Sequence, residues 1–213
     1  MASLWQSRTR LTVDIRREQL LRAGVELLRT HSPDEISIDA VARQAGISRG
    51  LLYHYFEDRD AFVVAVLEQA SERLRLALRP DPTLSRRDQI AAAIDAFIAF
   101  AEAHAAGFRA VLTGGVANRK IAAFVERTRE RDLAAFVAAV ASTTGERMNA
   151  EDRAVLRVAL HAHMHFMEGA VVRWLSRGEI TREQLRELIL HALEGTIAAA
   201  GAVALRTATP PPE

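Results

Sequence analysis

Apolar residues recur every three to four positions along most of this chain, a spacing that leaves little alternative to α-helix. β-branched residues are sparse and never alternate with polar ones over a useful length, so no strands are expected. Proline and glycine interrupt the pattern at Pro33, Pro80-Asp81-Pro82, Gly107, Gly114-Gly115, Gly145 and Gly178. Between these breaks the sequence predicts about nine helices, near 14–30, 38–45, 48–55, 58–79, 85–105, 107–112, 118–143, 150–177 and 181–200. Ile15, Leu20, Leu21, Leu27 and Leu28 mark the buried side of the first. Asp58 is placed to cap the fourth. Thr181, with Gln184 three residues on, has the capping-box pattern for the last.

A chain of 213 residues, 49% apolar and 26% charged, can bury a substantial core. Its net charge of +1 gives no global field for nucleic acid, so any DNA contact must come from a local basic surface. One such imbalance lies before residue 31, where Arg8, Arg10, Arg16, Arg17, Arg22 and Arg29 face only Asp14, Glu18 and Glu26. The absence of cysteine excludes disulfides and Cys-based zinc sites. No secretory h-region and no apolar run of ~18 residues occurs, so a cytoplasmic protein without membrane spans is expected.

The segment Ser37–Phe56, SIDAVARQAGISRGLLYHYF, reads as two short helices around a glycine turn. Ala42, four residues before Gly46, lets them cross closely, and Val41, Ala45, Ile47 and Leu52 supply the packing face. That is a helix-turn-helix layout, whose second helix enters the DNA major groove. Arg49 is the candidate for direct readout, because a guanidinium pairs with both acceptors of guanine. Ser48 is positioned as N-cap and phosphate donor, and Gly50 lets backbone approach DNA. Ser37, Arg43 and Arg59 are placed to clamp phosphates near helix starts.

Over about residues 12–68 the chain resembles the TetR family of transcriptional regulators. The first helix, IDAVARQAG, ISRGLLYHYF and EDRDAFVVAVL carry the resemblance, with Tyr53-His54-Tyr55-Phe56 followed by Glu57 and Arg59 as its most characteristic part. The resemblance implies an all-α protein: an N-terminal three-helix DNA-binding domain carrying the helix-turn-helix, then a helical ligand-binding and dimerisation domain. It further implies a homodimeric regulator, usually a repressor, that binds a palindromic double-stranded operator and is released by a small-molecule effector. Tyr53 and His54 match positions that commonly bond phosphates. Two departures stand out: Arg59 replaces the usual lysine, and Leu51 replaces a frequent threonine, leaving only apolar contact such as with a thymine methyl. The expected divisions are an arm at 1–13, the DNA-binding domain at 14–60, the ligand and dimer domain at 61–203 and a tail at 204–213.

In the second domain, Phe97, Phe100, Phe108, Leu112, Phe124 and Trp174, with Met164 and Met167, are candidates to line an apolar ligand cavity. His163 and Glu168 could orient a polar group there, and a largely hydrophobic ligand is expected. Val155, Ala159, Ala162, Phe166, Gly169 and Ala170 on one long helix, and Leu185, Leu188, Ile189, Ala192, Leu193 and Thr196 on the next, form a candidate two-fold interface. In HAHMH, His161 and His165 share a helix face while His163 points nearly opposite, and a third ligand is lacking, so no metal or other cofactor is expected. No nucleophile elbow, phosphate loop or dinucleotide fingerprint occurs, and no catalysis is expected. The alternatives are a DNA-binding regulator without small-molecule input and a helical enzyme or carrier using the apolar cavity.

Overall fold

The computed structural model describes residues 13–114, 116–142 and 148–207. The expected N-terminal arm with Arg8 and Arg10, Gly115, the break at Gly145 and the end of the expected tail lie outside the described residues. Among those described, every regular element is helical. Nine α-helices run in order: α1 Val13–Leu27, α2 Ile38–Ala45, α3 Arg49–Tyr55, α4 Arg59–Ala77, α5 Arg86–Ala103, α6 Ala105–Leu112, α7 Arg119–Ala141, α8 Ala150–Arg177 and α9 Arg182–Thr207. A 3-10 turn at Pro33–Glu35 precedes α2.

The caps legible in the sequence form. Asp58 accepts from the Ala61 N–H at 2.6 Å, and Thr181 and Gln184 exchange backbone-to-side-chain bonds of 2.9 and 3.1 Å. Gly46 ends α2 at φ 66, a left-handed conformation costly for any residue with a Cβ. The chain then reverses with the Ile47 N–H on the Ala42 carbonyl at 2.9 Å.

Three apolar clusters result. The first joins α1–α4 around Leu20, Val41, Leu52, Phe62 and Val66 and also takes in Ile121 of α7. The second joins α5, α8 and α9 around Ile98, Val171 and Ile189, and the third joins α7, α8 and α9 around Leu133, Leu160 and Leu193. α4 serves two of them: Phe62 to Ala70 lie in the first, while Leu74 and Leu78 lean on the second. A division at residue 60 therefore falls at the start of a helix shared by both halves. Ile15, expected inside, is 43% exposed.

One break falls elsewhere than the sequence suggests. The chain bends by 102° between α5 and α6 at His104, not at Gly107. His104 leaves helical geometry and both its N–H and its ring Nδ1 lie on the Phe100 carbonyl, at 3.1 and 2.9 Å. Gly107 sits within α6 because α1 comes close there: its N–H donates to the Leu28 carbonyl at 3.0 Å. A Cβ at Gly107 would stand 2.9 Å from Leu28 Cδ2.

Candidate nucleic-acid interface

The crossing of α2 and α3 leaves an open groove lined by Ser37, Asp39, Ala42, Arg43, Gly46, Ile47, Ser48 and Arg49. Four of the residues expected at DNA thus share one concave surface. Ser37 caps α2, its Oγ accepting from the Ala40 N–H at 3.2 Å, which leaves the hydroxyl proton to donate outward. Ser48 has N-cap backbone angles, but its side chain makes no cap hydrogen bond, so its hydroxyl is not committed to the helix. Arg43 is exposed on the last turn of α2.

Arg49 opens α3, and its Nε lies 3.0 Å from Asp39 Oδ1, with both side chains more than half exposed. An exposed pair of this kind contributes little to stability, so the guanidinium can exchange Asp39 for another acceptor at small cost. Asp39 is a partner that reading the sequence did not find; no helical spacing links residues on two different helices. Leu52 and Phe56 are buried and anchor α3 to the first cluster. Leu51 is half-buried, and Gly50, Tyr53 and His54 are exposed on the opposite side. Open space surrounds the position a Gly50 Cβ would take.

Arg59 is a correction. Its guanidinium turns inward, with Nε on the Ile36 carbonyl at 2.7 Å and Nη2 on the Pro33 and Asp34 carbonyls at 2.8 and 2.5 Å. It holds the loop before α2 rather than offering its charge to a phosphate. Of the other arginines on this side, Arg17 lies over the Phe56 ring at 5.2 Å, while Arg22 and Arg29 form exposed pairs with Glu18 and Glu26.

Behind this surface the α6–α7 corner holds the half that carries α2 and α3 through three aspartates. The Ala117 N–H donates to Asp34 Oδ2 at 2.7 Å, Asn118 Nδ2 to Asp60 Oδ2 at 2.7 Å, and Lys120 Nζ to Asp58 Oδ2 at 2.9 Å. The Ala61 amide and the Lys120 ammonium hold the Asp58 carboxyl below the usual carboxylate range. None of these contacts had a signal in the sequence, because they join residues 58 to 83 positions apart.

The residues expected to line one ligand cavity are distributed. Phe97 and Phe108 meet edge-to-face at 5.5 Å, with Met167 and Trp174 in the same cluster. Phe100 and Phe124 lean instead on the first cluster, Met164 on the third, and Leu112 is half-buried. His163 is buried beside Phe136 and Phe166, its Nδ1 has no hydrogen-bond partner, and burial pushes its pKa down. Glu168 receives Arg129 Nη2 at 2.8 Å; burial raises its pKa and Arg129 opposes the rise.

The expected two-fold face is corrected in part. Leu185, Ile189 and Leu193 are buried within the single chain, and Val155, Ala159 and Ala170 are half-buried, packing in part on the inner clusters. Ala192 and Thr196 are half-buried, the Thr196 hydroxyl donating to the Ala192 carbonyl. The outward stripe of α8 and α9 comprises Ala162, Gly169, Phe166 at 41% exposure and Leu188 at 47%. Val158, 70% exposed on the same face, was missed. Among the described residues no single helix is long and apolar enough to cross a membrane.

Comparison with known proteins agrees with this geometry. The model for bacterial regulatory proteins of the tetR family matches residues 20–66, and that for the tetracyclin repressor-like C-terminal domain matches residues 86–194. The chain is similar to the HTH-type transcriptional regulator BetI of Stenotrophomonas maltophilia, 33% identical over 84 residues, covering 38% of this chain and 43% of that one. It is similar to the HTH-type transcriptional activator FasR of Mycolicibacterium smegmatis, 32% identical over 126 residues and 57% of each. The chain thus spans about half the length of these curated relatives. A solved tetR-family transcriptional regulator from Streptomyces coelicolor superposes with a TM-score of 0.75 at 28% identity, covering 92% of this chain and 89% of that one.

Proposed function

Because the chain belongs to the tetR family of bacterial regulatory proteins, we propose that it is a homodimeric transcriptional regulator that reads a palindromic operator through α3. The observation that carries this reading is the groove between α2 and α3, where Ser37, Arg43, Ser48 and Arg49 converge beside the exposed Tyr53 and His54. In it Arg49 leaves Asp39 for a guanine edge, while Ser37, Arg43, Ser48, Tyr53 and His54 fix the register on phosphates. Gly50 and Leu51 lie against the base edges. α3 is only 7 residues long, so affinity comes from two copies on half-sites ~34–36 Å apart or a multiple of that spacing. The copies join through the outward stripe of Val158, Ala162, Phe166, Gly169 and Leu188.

The regulator is a repressor released by a small, largely hydrophobic molecule held among the helices after Pro82. The Phe97, Phe108, Met167 and Trp174 cluster offers the apolar contacts, and buried His163 offers an unengaged ring nitrogen. An activator is the second reading, favoured by the name of the FasR relative. Selection of bound sequences from a random DNA pool tests the core of the proposal. Enrichment of a palindrome is expected; Arg49→Ala should change base preference, and Arg43→Ala should weaken all sequences alike and lower the salt slope. Equal losses on specific and random DNA for Arg49→Ala would refute its role.

A further inference from the structure

Two histidines take no part in the function proposed above. His161 and His165 stand one turn apart on α8, exposed on the side turned from the core, with their Nε2 atoms 3.2 Å apart. The rings meet edge-to-face, 4.6 Å between centroids. In the neutral pair one Nε2 donates its proton to the lone pair of the other. When that proton moves to the outer nitrogen, both lone pairs become available to one acceptor.

At that separation, an ion bound to both nitrogens at the usual zinc–imidazole length of ~2.1 Å subtends roughly 100° between them, within the range of tetrahedral and octahedral coordination. The i, i+4 placement on one helix face is also the one by which paired helical histidines hold zinc in metalloproteases. A carboxylate lies on the far side of His165. Its Nδ1 lies 3.5 Å from Glu168 Oε2, the oxygen that also receives Arg129 Nη2. A carboxylate behind an imidazole draws the proton to Nδ1 and leaves Nε2 free to ligate.

We propose that His161 and His165 form a chelate for a divalent transition ion of the imidazole-preferring class, zinc, nickel or copper, on the outward face of α8. Among the described residues of one chain no third His, Cys, Asp or Glu joins them, so water or groups of a second copy complete the coordination. The site adjoins Val158, Ala162 and Phe166, and its occupancy therefore bears on how that face meets a partner. It does not depend on the DNA-reading proposal.

The test is calorimetric titration of zinc chloride and nickel chloride into the full chain and its H161Q, H165Q and H161Q/H165Q variants. Both side chains are exposed, so the variants should keep the helical circular dichroism of the parent. Each single substitution is expected to weaken binding at least tenfold. Long-range proton–nitrogen spectra should show the ring nitrogens of His161 and His165 shifting with zinc while those of His163 do not. Binding to the double variant as tight as to the parent, no binding to the parent, or zinc shifts confined to other histidines such as His191, would each overturn the proposal.

Discussion

Gly24→Ala isolates the contact that holds α1 to α4. A Cβ built on Gly24 falls onto Val66 Cγ2 and stands 2.8 Å from Phe62 Cζ. Neither neighbour can withdraw cheaply: both are fully buried, and a helical valine has essentially one χ1 well. Removing a mid-helix glycine gains ~1 kcal/mol of intrinsic propensity, whereas overpacking a filled core costs ~1–3 kcal/mol or more. Two displaced groups place the cost at the upper end, for a net loss of ~2 kcal/mol. Against a urea slope of ~3 kcal/mol/M, that lowers the unfolding midpoint by roughly 0.7 M. Protein concentration must be held constant, since self-association would itself shift the midpoint. Val66→Ala removes the obstructing methyl at its own cost of ~2 kcal/mol. The double variant should therefore be more stable than the sum of the single losses by ~1 kcal/mol or more. A Gly24→Ala midpoint that rises, as expected at Gly195 where nothing lies within 4 Å, or strict additivity with Val66→Ala, would refute the reasoning.

In the proposed dimer, Phe166→Glu and Leu188→Glu should each weaken association by roughly 10- to 100-fold if the side chain is fully covered there, while leaving the chain folded. Leu185→Glu, on a side chain 1% exposed, should instead unfold the chain; sedimentation equilibrium with circular dichroism separates the outcomes, and unchanged association in both surface variants would remove this face from the interface. His163 predicts a pH dependence. Burial lowers its folded pKa below the unfolded value, so its contribution is complete above pH ~6.5 and is lost as pH falls toward the folded pKa, where the unfolded chain binds the extra proton. His163→Met should flatten the decline of the urea midpoint between about pH 7 and pH 5, and an identical slope in parent and variant would show that His163 is not its source.

Legibility followed the range of the forces involved. The α2–α3 unit is built from contacts within about twenty residues, and Val41, Ala42, Gly46 and Leu52 are each where a local reading places them. Caps at Asp58 and Thr181 involve partners three residues away and were legible for the same reason. Gly107 was not, because a glycine that breaks a helix and one that admits a neighbour look alike; only Leu28, brought up by tertiary packing, distinguishes them. α9 poses the same ambiguity for apolar stripes. Leu185, Leu188 and Ile189 all satisfy helical periodicity, but only the neighbouring helices decide that the first and third face inward and the second outward. Arg59 at the start of α4 reads in sequence as a phosphate clamp, whereas the backbone carbonyls of Pro33, Asp34 and Ile36, brought to it by the fold, claim it first.

The same Arg59 indicates how the two halves of the molecule are coupled. Asn118 acts twice: its Oδ1 accepts from the Lys120 and Ile121 amides and so starts α7, while its Nδ2 donates to Asp60 on the first turn of α4. Asp60 also pairs with Arg59, and Arg59 holds the loop that aims α2. Asn118, Asp60 and Arg59 thus form a continuous polar chain from the first turn of α7 to the loop before the helix-turn-helix. Gly107 on Leu28 and Ile121 in the first cluster fix the other side of the same corner. A coupling of ~1–3 kcal/mol gives a 5- to 150-fold change in affinity, and losing one or two charge-assisted hydrogen bonds of this chain is worth that much. In the proposed ligand-released repressor, the ligand would have to favour a setting of α7 in which Asn118 no longer reaches Asp60.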